Sequence, residues 1–170
     1  MRRWAAGLVA VAVLACAGAP PATDAAREAK IAQMYAHYHE DFPDVPDVDP
    51  KGYEQLVAEG KPVVLVDVRT PEEQAVSMIP GAITEPQFEQ HEDAYQGDVV
   101  VTYCTIGARS GEYAKKLRAQ GWDARNMAGS ILAWTHAGGP LVGPDGKPTQ
   151  RVDVYGKKWD LAAKGYESTW

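Results

Sequence analysis

The sequence predicts an α/β domain with a mainly parallel sheet and helices on both faces. Residues 63–68 and 98–103 are Val-rich apolar runs of strand length, as in strands that are covered on both faces. Helical patterns alternate with such runs from residue 48 to residue 134. Strands that alternate with helices pair in parallel through crossover connections. We therefore expect the loops at the carboxyl edge of this sheet to carry the functional site.

The domain is preceded by a predicted helix. Thr23 or Asp24 can cap this helix, and apolar residues at helical spacing continue to about His39, before a proline-containing connector at residues 42–46. We expect its apolar stripe to pack against the domain. His37 and His39 diverge on a helix because they are two residues apart, so no metal site is predicted there.

Two further helices are predicted around the first long strand. Asp49 and Pro50 supply an N-cap and a first-turn proline for a helix over residues 51–59. After the strand, residues 70–73 (Thr-Pro-Glu-Glu) combine a cap, a proline and first-turn acids, which predicts a short helix.

The second long strand runs into Cys104 and a short loop that opens a helix. We expect Ser110 to be the N-cap of a helix over residues 111–120, and Gly107 to let loop amides form an anion-binding nest. Arg109 supplies a nearby cation. The helix dipole, the amides and this cation all favour the thiolate, so Cys104 is predicted to be a nucleophile.

The C-terminal part has a different character. Residues 143–148 give a strong turn signal, and residues 151–155 alternate like a half-exposed strand, which predicts a small hairpin appended to the core. Trp159, Tyr166 and Trp170 are aromatic anchors that are expected to pack this tail onto its own domain. The alternative is that they bind a partner or cover the pocket.

Four segments in order carry a resemblance to a known family. They are the loop Cys104-Thr105-Ile106-Gly107-Ala108-Arg109-Ser110, the strand ending in Asp67-Val68-Arg69, the stretch Ile79-Pro80-Gly81-Ala82, and Met127-Ala128-Gly129-Ser130 with the helix pattern after it. Together they resemble rhodanese-like sulfurtransferase domains over roughly residues 48–142.

The resemblance implies a function. Cys104 would attack the outer sulfur of a small anion such as thiosulfate and then pass that sulfur to cyanide, a thiol or a protein cysteine. Arg69 would lie near the mouth of the pocket, and Asp67 would be mainly structural. The substrate-binding residues would be Arg69, Thr105, Ile106, Gly107, Ala108, Arg109 and Ser110. No metal or organic cofactor is implied.

Two other classes of function stay open. Cysteine phosphatases and arsenate reductases also use a cysteine in a bowl of amides followed by an arginine. Four residues separate Cys104 from Arg109 here, where phosphatases typically carry five, and the smaller cradle fits one sulfur better than a tetrahedral oxyanion. The third possibility is an envelope sulfur carrier or binding module without small-molecule turnover.

The N-terminus predicts export. Residues 1–4 form a short basic start, and the apolar run over residues 5–15 is shorter than the roughly 20 residues of a spanning helix. Residues 13–16 resemble a bacterial lipobox in which Cys16 is lipidated; the alternative is signal peptidase I cleavage after Ala17 or Ala19. We expect a periplasmic protein, lipid-anchored to the outer membrane if Cys16 is acylated.

Composition limits the remaining choices. The net charge is −6, and an acidic exported chain is a poor candidate for nucleic-acid binding. Cys16 and Cys104 are the two cysteines, so neither a structural disulfide nor a resolving cysteine is expected. The predicted organisation is a signal peptide (1–15), a tether and N-terminal helix (16–47), the rhodanese-like domain (48–142) and a C-terminal extension (143–170).

Overall fold

The computed structural model describes residues 21–170, so the predicted signal peptide and Cys16 lie outside the described part. Its elements in order are α1 (Asp24–His39), β1 (Asp47–Val48), α2 (Pro50–Ala58), β2 (Val63–Asp67), α3 (Pro71–Gln74), β3 (Ile83–Thr84), α4 (Glu85–Gln90), β4 (Val99–Tyr103), α5 (Ala108–Ala119), β5 (Asp123–Met127), α6 (Ser130–His136), β6 (Leu141–Val142), β7 (Pro148–Thr149), β8 (Arg151–Asp153) and β9 (Glu167–Thr169). Within this range, no helix combines the length and the apolar character that crossing a membrane requires.

The central sheet has five strands in the order β1-β5-β4-β2-β3, and all of its pairings are parallel. In the register of β2 and β4, Asp67 stands beside Tyr103, the residue before Cys104. The reactive cysteine therefore follows the carboxyl end of a central strand, where the sequence places it.

The long strands bury alternate residues on opposite faces of the sheet. Leu65 and Val101 join a core that includes residues of α2 and α6, whereas Val64, Val66 and Val100 join a second core with residues of α4 and α5. Successive side chains of a strand point to opposite faces, so the sheet is covered on both sides. The predicted α/β class with helices on both faces is confirmed.

The helix starts follow their caps. Thr23 Oγ1 accepts the N–H of Ala26 at the start of α1, and Asp49 Oδ1 accepts the N–H of Gly52 at the start of α2. Thr70 begins α3 with a capping box. The local signals thus predict these helices, because a cap satisfies amides that a first turn leaves unpaired.

Helix α1 packs onto the domain across the ends of both cores. Its Ile31 belongs to the core that includes α6, and its Tyr35 belongs to the core that includes α5. Arg27 Nη1 also donates to the carbonyl of Ala162 at 2.6 Å, which ties α1 to the C-terminal segment.

The C-terminal extension differs from the predicted hairpin in one respect. Strands β6 and β7 form an antiparallel hairpin around the expected turn, but β8 pairs in parallel with β9 instead of joining it. The reason is burial, since Val152 and Val154 are fully buried in the core. Trp159 is buried, and Tyr166 donates its hydroxyl to the carbonyl of Gly139 at 2.7 Å. Trp170 is 62% exposed and does not act as the expected anchor.

Candidate active site

The loop after β4 turns into α5 earlier than the sequence predicts. Gly107 is the N-cap and has φ +108°, a left-handed conformation that glycine adopts without steric cost. The helix therefore begins at Ala108, and the predicted N-cap at Ser110 is wrong. As a result, Arg109 and Ser110 both lie in the first turn of α5.

The sulfur of Cys104 sits in a buried, polar environment. Its Sγ accepts the N–H of Gly107 at 3.2 Å and lies 3.5 Å from the hydroxyl oxygen of Ser110. Burial by itself raises the pKa of this thiol. Hydrogen bonds from the Ser110 hydroxyl and backbone, the charge of Arg109 and the Gly107 N–H outweigh burial, so the pKa of Cys104 is lowered from its ordinary value. The site therefore favours a thiolate nucleophile.

Helix α6 holds the backbone of the cysteine loop. Ser130 Oγ accepts the N–H of Cys104 at 3.1 Å. The N–H groups of Ile131 and Leu132 donate to the carbonyls of Cys104 and Thr105, both at 3.2 Å. In a trans peptide the N–H points opposite to the carbonyl, so the amides of these peptide units point away from α6. The loop is thus fixed by a helix that the sequence places only downstream of it.

A second set of polar contacts joins the loop to β5 and to helix α1. The Ser110 hydroxyl has one proton, which it can donate to Asn126 Oδ1 at 2.7 Å or to the Cys104 sulfur at 3.5 Å. Asn126 Nδ2 donates to the Gly107 carbonyl at 2.8 Å and to the Tyr35 hydroxyl at 3.1 Å. The Tyr35 hydroxyl in turn donates to Asp47. Sequence reasoning missed Asn126 and Tyr35. An exact strand register would have placed Asn126 of β5 beside Thr102 of β4. A buried asparagine at that position would have indicated a polar contact to the loop after β4.

Arg109 is not the free cation that the sequence suggests. Its Nη1 and Nη2 each lie 2.7 Å from a carboxylate oxygen of Glu73, and Nη2 also donates to Thr105 Oγ1 at 3.1 Å. Burial alone raises the pKa of Glu73, but the hydrogen bonds from Arg109, the Thr70 N–H and Thr105 hold this pKa at about 2. The bidentate pair therefore stays charged, with no net charge as a pair.

Asp67 and Arg69 form a separate buried pair. Both side chains are fully buried, with Arg69 Nη2 2.7 Å from Asp67 Oδ2 and 2.6 Å from the carbonyl of Ser77. The Tyr103 hydroxyl donates to Asp67 Oδ2 at 2.6 Å. Arg69 is absent from the described wall of the cavity at Cys104. The substrate contact expected for Arg69 therefore has no support in this geometry, because its guanidinium is fully buried and pairs with Asp67 and the Ser77 carbonyl.

A cavity of about 200 Å³ opens onto Cys104. Four predicted loop residues line it with the cysteine: Thr105, Ile106, Ala108 and Arg109. Gly107 and Ser110 contact the sulfur without lining the wall.

The rest of the cavity wall is aromatic and comes from the two ends of the described chain. Tyr38 of α1 stacks on Trp159 with ring centres 6.0 Å apart, and Tyr155 meets Trp159 edge-on at 6.0 Å. The Arg109 guanidinium carbon lies 5.4 Å from the centre of the Tyr155 ring. For Trp159 this position agrees with the alternative prediction that the aromatic tail covers the pocket, whereas Tyr38 and Tyr155 are not predicted to lie near Cys104.

Metal-binding groups do not gather at this site. Across residues 21–170, no three His, Cys, Asp or Glu side chains are placed so that they could hold one metal ion. His37 lies 3.8 Å from Glu40, and His39 lies 3.7 Å from Asp47, as separate surface pairs.

The family model and two relatives match rhodanese-like sulfurtransferases. Residues 49–137 match the model of the rhodanese-like domain. A sulfurtransferase of Allochromatium vinosum is 38% identical over 107 residues, covering 60% of this chain and 99% of that protein. The thiosulfate:glutathione sulfurtransferase of Saccharomyces cerevisiae is 32% identical over 95 residues, 45% of this chain and 68% of that protein.

Among solved structures, the fold is similar to that of a thiosulfate sulfurtransferase from Pseudomonas aeruginosa. The TM-score is 0.51 at 20% identity, over 74% of this chain and 24% of that chain. At this level of identity the likeness is one of fold.

Proposed function

The chain belongs to the rhodanese-like domain family, and from that membership we propose that Cys104 carries sulfur as a persulfide between a donor and an acceptor. The family and the sulfurtransferase relatives make the protein a sulfurtransferase of the rhodanese type. The observation that supports the role of Cys104 is its buried sulfur, with two hydrogen-bond donors at 3.2 and 3.5 Å and a cavity in front of it.

The first step loads the enzyme. The Cys104 thiolate attacks the outer sulfur of a donor such as thiosulfate, the sulfur–sulfur bond of the donor breaks, and sulfite leaves with the electron pair. The hydrogen bonds that lower the pKa of the thiol also stabilise the negative charge on the persulfide. The Gly107 N–H is in place before the reaction, because Asn126 holds the Gly107 carbonyl. The Ser110 hydroxyl reaches the sulfur by turning its proton from Asn126 to Cys104.

The second step returns the enzyme to its starting state. A nucleophilic acceptor attacks the outer persulfide sulfur and leaves with it, which regenerates the Cys104 thiolate in a ping-pong cycle. Cyanide would give thiocyanate, and a thiol or a protein cysteine would give a new persulfide. The yeast relative, whose name includes glutathione, supports a thiol acceptor for this chain.

The geometry favours sulfur over a phosphate or arsenate substrate. In a bowl that binds a tetrahedral oxyanion, an arginine is needed for bidentate contacts to the oxygens. Arg109 already makes such contacts with Glu73. We therefore do not propose a phosphatase or arsenate reductase for this chain.

The export proposal is independent of this chemistry. From the predicted leader and the lipobox ending at Cys16, we propose that the protein is periplasmic and is anchored to the outer membrane when Cys16 carries a lipid. Metabolic labelling with a fatty-acid analogue tests this proposal, since the label is expected to be lost on Cys16→Ala.

Intact mass after incubation with thiosulfate tests the persulfide. In a Cys16→Ser background Cys104 is the one remaining cysteine, and we expect a gain of one sulfur mass that cyanide discharges. The Cys104→Ser protein is expected to gain nothing. A free, alkylatable Cys104 that takes up no sulfur from thiosulfate or from an organic donor would contradict the proposal.

A further inference from the structure

We propose that the preferred donor of this site is an organic sulfane-sulfur compound with a single negative charge and an apolar or aromatic group, such as an organic thiosulfonate. Thiosulfate, an inorganic dianion, would be a poorer donor. This inference rests on the persulfide function proposed above and specifies its donor. It is carried by the wall of the cavity and by the pairing of Arg109.

The cavity wall suits an apolar group better than an ion. Five of its eight lining residues present aromatic or aliphatic side chains: Tyr38, Ile106, Ala108, Tyr155 and Trp159. A dianion that enters loses hydration that such side chains cannot replace. An aromatic or aliphatic group instead gains contact with the rings and leaves water.

The charges around the cavity argue in the same direction. Arg109 is the one charged side chain of the described wall, and Glu73 neutralises it through two hydrogen bonds of 2.7 Å. The Cys104 thiolate adds a negative charge at the base. The Lys158 ammonium lies 5.8 Å from the centre of the Trp159 ring and adds a positive charge beside the wall. These four charges sum to zero, so every negative charge that a donor brings is uncompensated, and a monoanion is repelled less than a dianion.

Tyr155 occupies a position that folding alone does not require. Its side chain is 62% exposed although it lines the cavity, and its backbone has φ +68°, which is unfavourable for a residue with a Cβ. Asp153 Oδ1 accepts the Tyr155 N–H at 2.8 Å and so holds this turn. An exposed aromatic ring kept in a costly conformation at the mouth of a site indicates a contact with the ligand.

The transfer from such a donor is balanced without a further reactant. The Cys104 thiolate attacks the terminal sulfur of R–SO2–S⁻, a new sulfur–sulfur bond forms, and the donor's sulfur–sulfur bond breaks. The sulfinate R–SO2⁻ leaves with the electron pair, and Cys104 becomes a persulfide anion. The transferred sulfur keeps its oxidation state, so no oxidant or reductant is needed.

Three donors separate charge from apolar contact. Thiosulfate is a dianion, methanethiosulfonate is a monoanion with a methyl group, and benzenethiosulfonate is a monoanion with a ring. We expect kcat/KM, with cyanide as acceptor, to increase in that order after each value is divided by the donor's uncatalysed rate with cyanide. The step from methyl to phenyl is expected to be on the order of tenfold, which corresponds to about 1.4 kcal/mol.

Comparing protein variants cancels the different intrinsic reactivities of the donors, because the rate with each donor in a variant is divided by the rate with the same donor in the unmodified protein. Tyr155→Ala is expected to reduce the phenyl-to-methyl ratio severalfold, since the ring loses part of its wall. Trp170→Ala is the matched control: Trp170 belongs to the same extension and is also 62% exposed, but it does not line the cavity. Glu73→Gln leaves the charge of Arg109 uncompensated and is expected to raise the thiosulfate-to-methanethiosulfonate ratio.

The outcomes distinguish this inference from the function on which it rests. If Cys104 loads sulfur but the phenyl-to-methyl ratio is the same in the unmodified protein and in Tyr155→Ala, the donor inference is overturned and the persulfide function stands. A normalised kcat/KM for thiosulfate above the values for both thiosulfonates also overturns the donor inference. If no donor places sulfur on an accessible Cys104, the persulfide function itself fails.

Discussion

The ring of Tyr35 lies against Gly107 so closely that a Cβ at position 107 would stand 2.5 Å from Tyr35 Cε2. Gly107 also needs φ +108° and donates its N–H to the Cys104 sulfur. A helix from outside the matched family segment therefore supports the residue on which the reactive loop turns.

This contact predicts the effect of Gly107→Ala. The new methyl group meets the Tyr35 ring and the residue must keep a left-handed backbone, so we expect a loss of about 3 kcal/mol of unfolding free energy together with slower persulfide formation. Urea denaturation and sulfur loading measure the two effects. Gly146→Ala is the control, because Gly146 has φ +73° with no atom within 4 Å of its Cβ position. It is expected to cost only about 1 kcal/mol, and equal losses in both variants would argue against the Tyr35 contact.

The hydroxyl of Ser110 is expected to set the reactivity of Cys104. Ser110→Ala removes the hydroxyl 3.5 Å from the sulfur, so the pKa of Cys104 is expected to rise. The pH dependence of alkylation by iodoacetamide reports this pKa, and the half-maximal rate is expected to move to higher pH.

A matched control exists for the Ser110 variant. Ser77 is also fully buried, but its hydroxyl has no hydrogen-bond partner within residues 21–170. Ser77→Ala removes a buried hydroxyl without touching the site, so its alkylation profile is expected to follow that of the unmodified protein. A profile in Ser110→Ala that does not move would show that the Ser110 hydroxyl does not stabilise the thiolate.

Glu73 is expected to make the stability of the domain depend on acid pH. Its pKa of about 2 in the folded state lies below the ordinary value of 4.5, so its contribution is present above pH 4.5 and is lost as the pH falls towards 2. The shift corresponds to about 3 kcal/mol, of which roughly 2 kcal/mol are lost by pH 3. Urea denaturation at pH 6 and pH 3 is expected to show this extra loss relative to Glu73→Gln. Parallel losses in the two proteins would contradict the assignment.

Arg69 is expected to matter for stability and not for substrate binding. Arg69→Met leaves the Asp67 carboxylate buried without its main partner, so we expect a loss of about 3–5 kcal/mol. The KM for the sulfur donor of the folded fraction is expected to stay unchanged.

Arg125→Met is the control for the Arg69 variant. Arg125 pairs with Asp123 over the same two-residue spacing on a strand, at 3.0 Å, but both side chains are partly exposed. Its loss is expected to stay below about 1 kcal/mol. A large rise in KM for Arg69→Met with little change in stability would restore the substrate contact that the family resemblance implies.

Local signals in the sequence predict most of the fold. Asp49 and Thr70 cap their helices because capping depends on neighbouring residues only. The start of α5 is different, since a serine cap at position 110 and a left-handed glycine at position 107 are both good local solutions. The hydrogen bonds from α6 and Asn126 to the loop favour the glycine, and these contacts come from elements that are distant in sequence.

Prediction of the site also divides into local features, which the sequence shows, and tertiary contacts, which it does not. The loop around Cys104 can be predicted, because the cysteine, the glycine and the arginine lie within six residues of one another. The pairing of Arg109 with Glu73, 36 residues away, is a matter of tertiary structure. So is the meeting of Tyr38 with Trp159, which requires both ends of the described chain to be in place.

The aromatic residues of the cavity wall lie in other parts of the sequence than the residues that contact the Cys104 sulfur. Tyr38, Tyr155 and Trp159 all lie outside the segment, residues 49–137, that matches the family. If the donor enters this cavity as we propose, mutations at these three positions change donor choice while every hydrogen bond on Cys104 is kept. Evolution, or a library built on these three positions, can diversify substrate choice in this scaffold without rebuilding its catalyst.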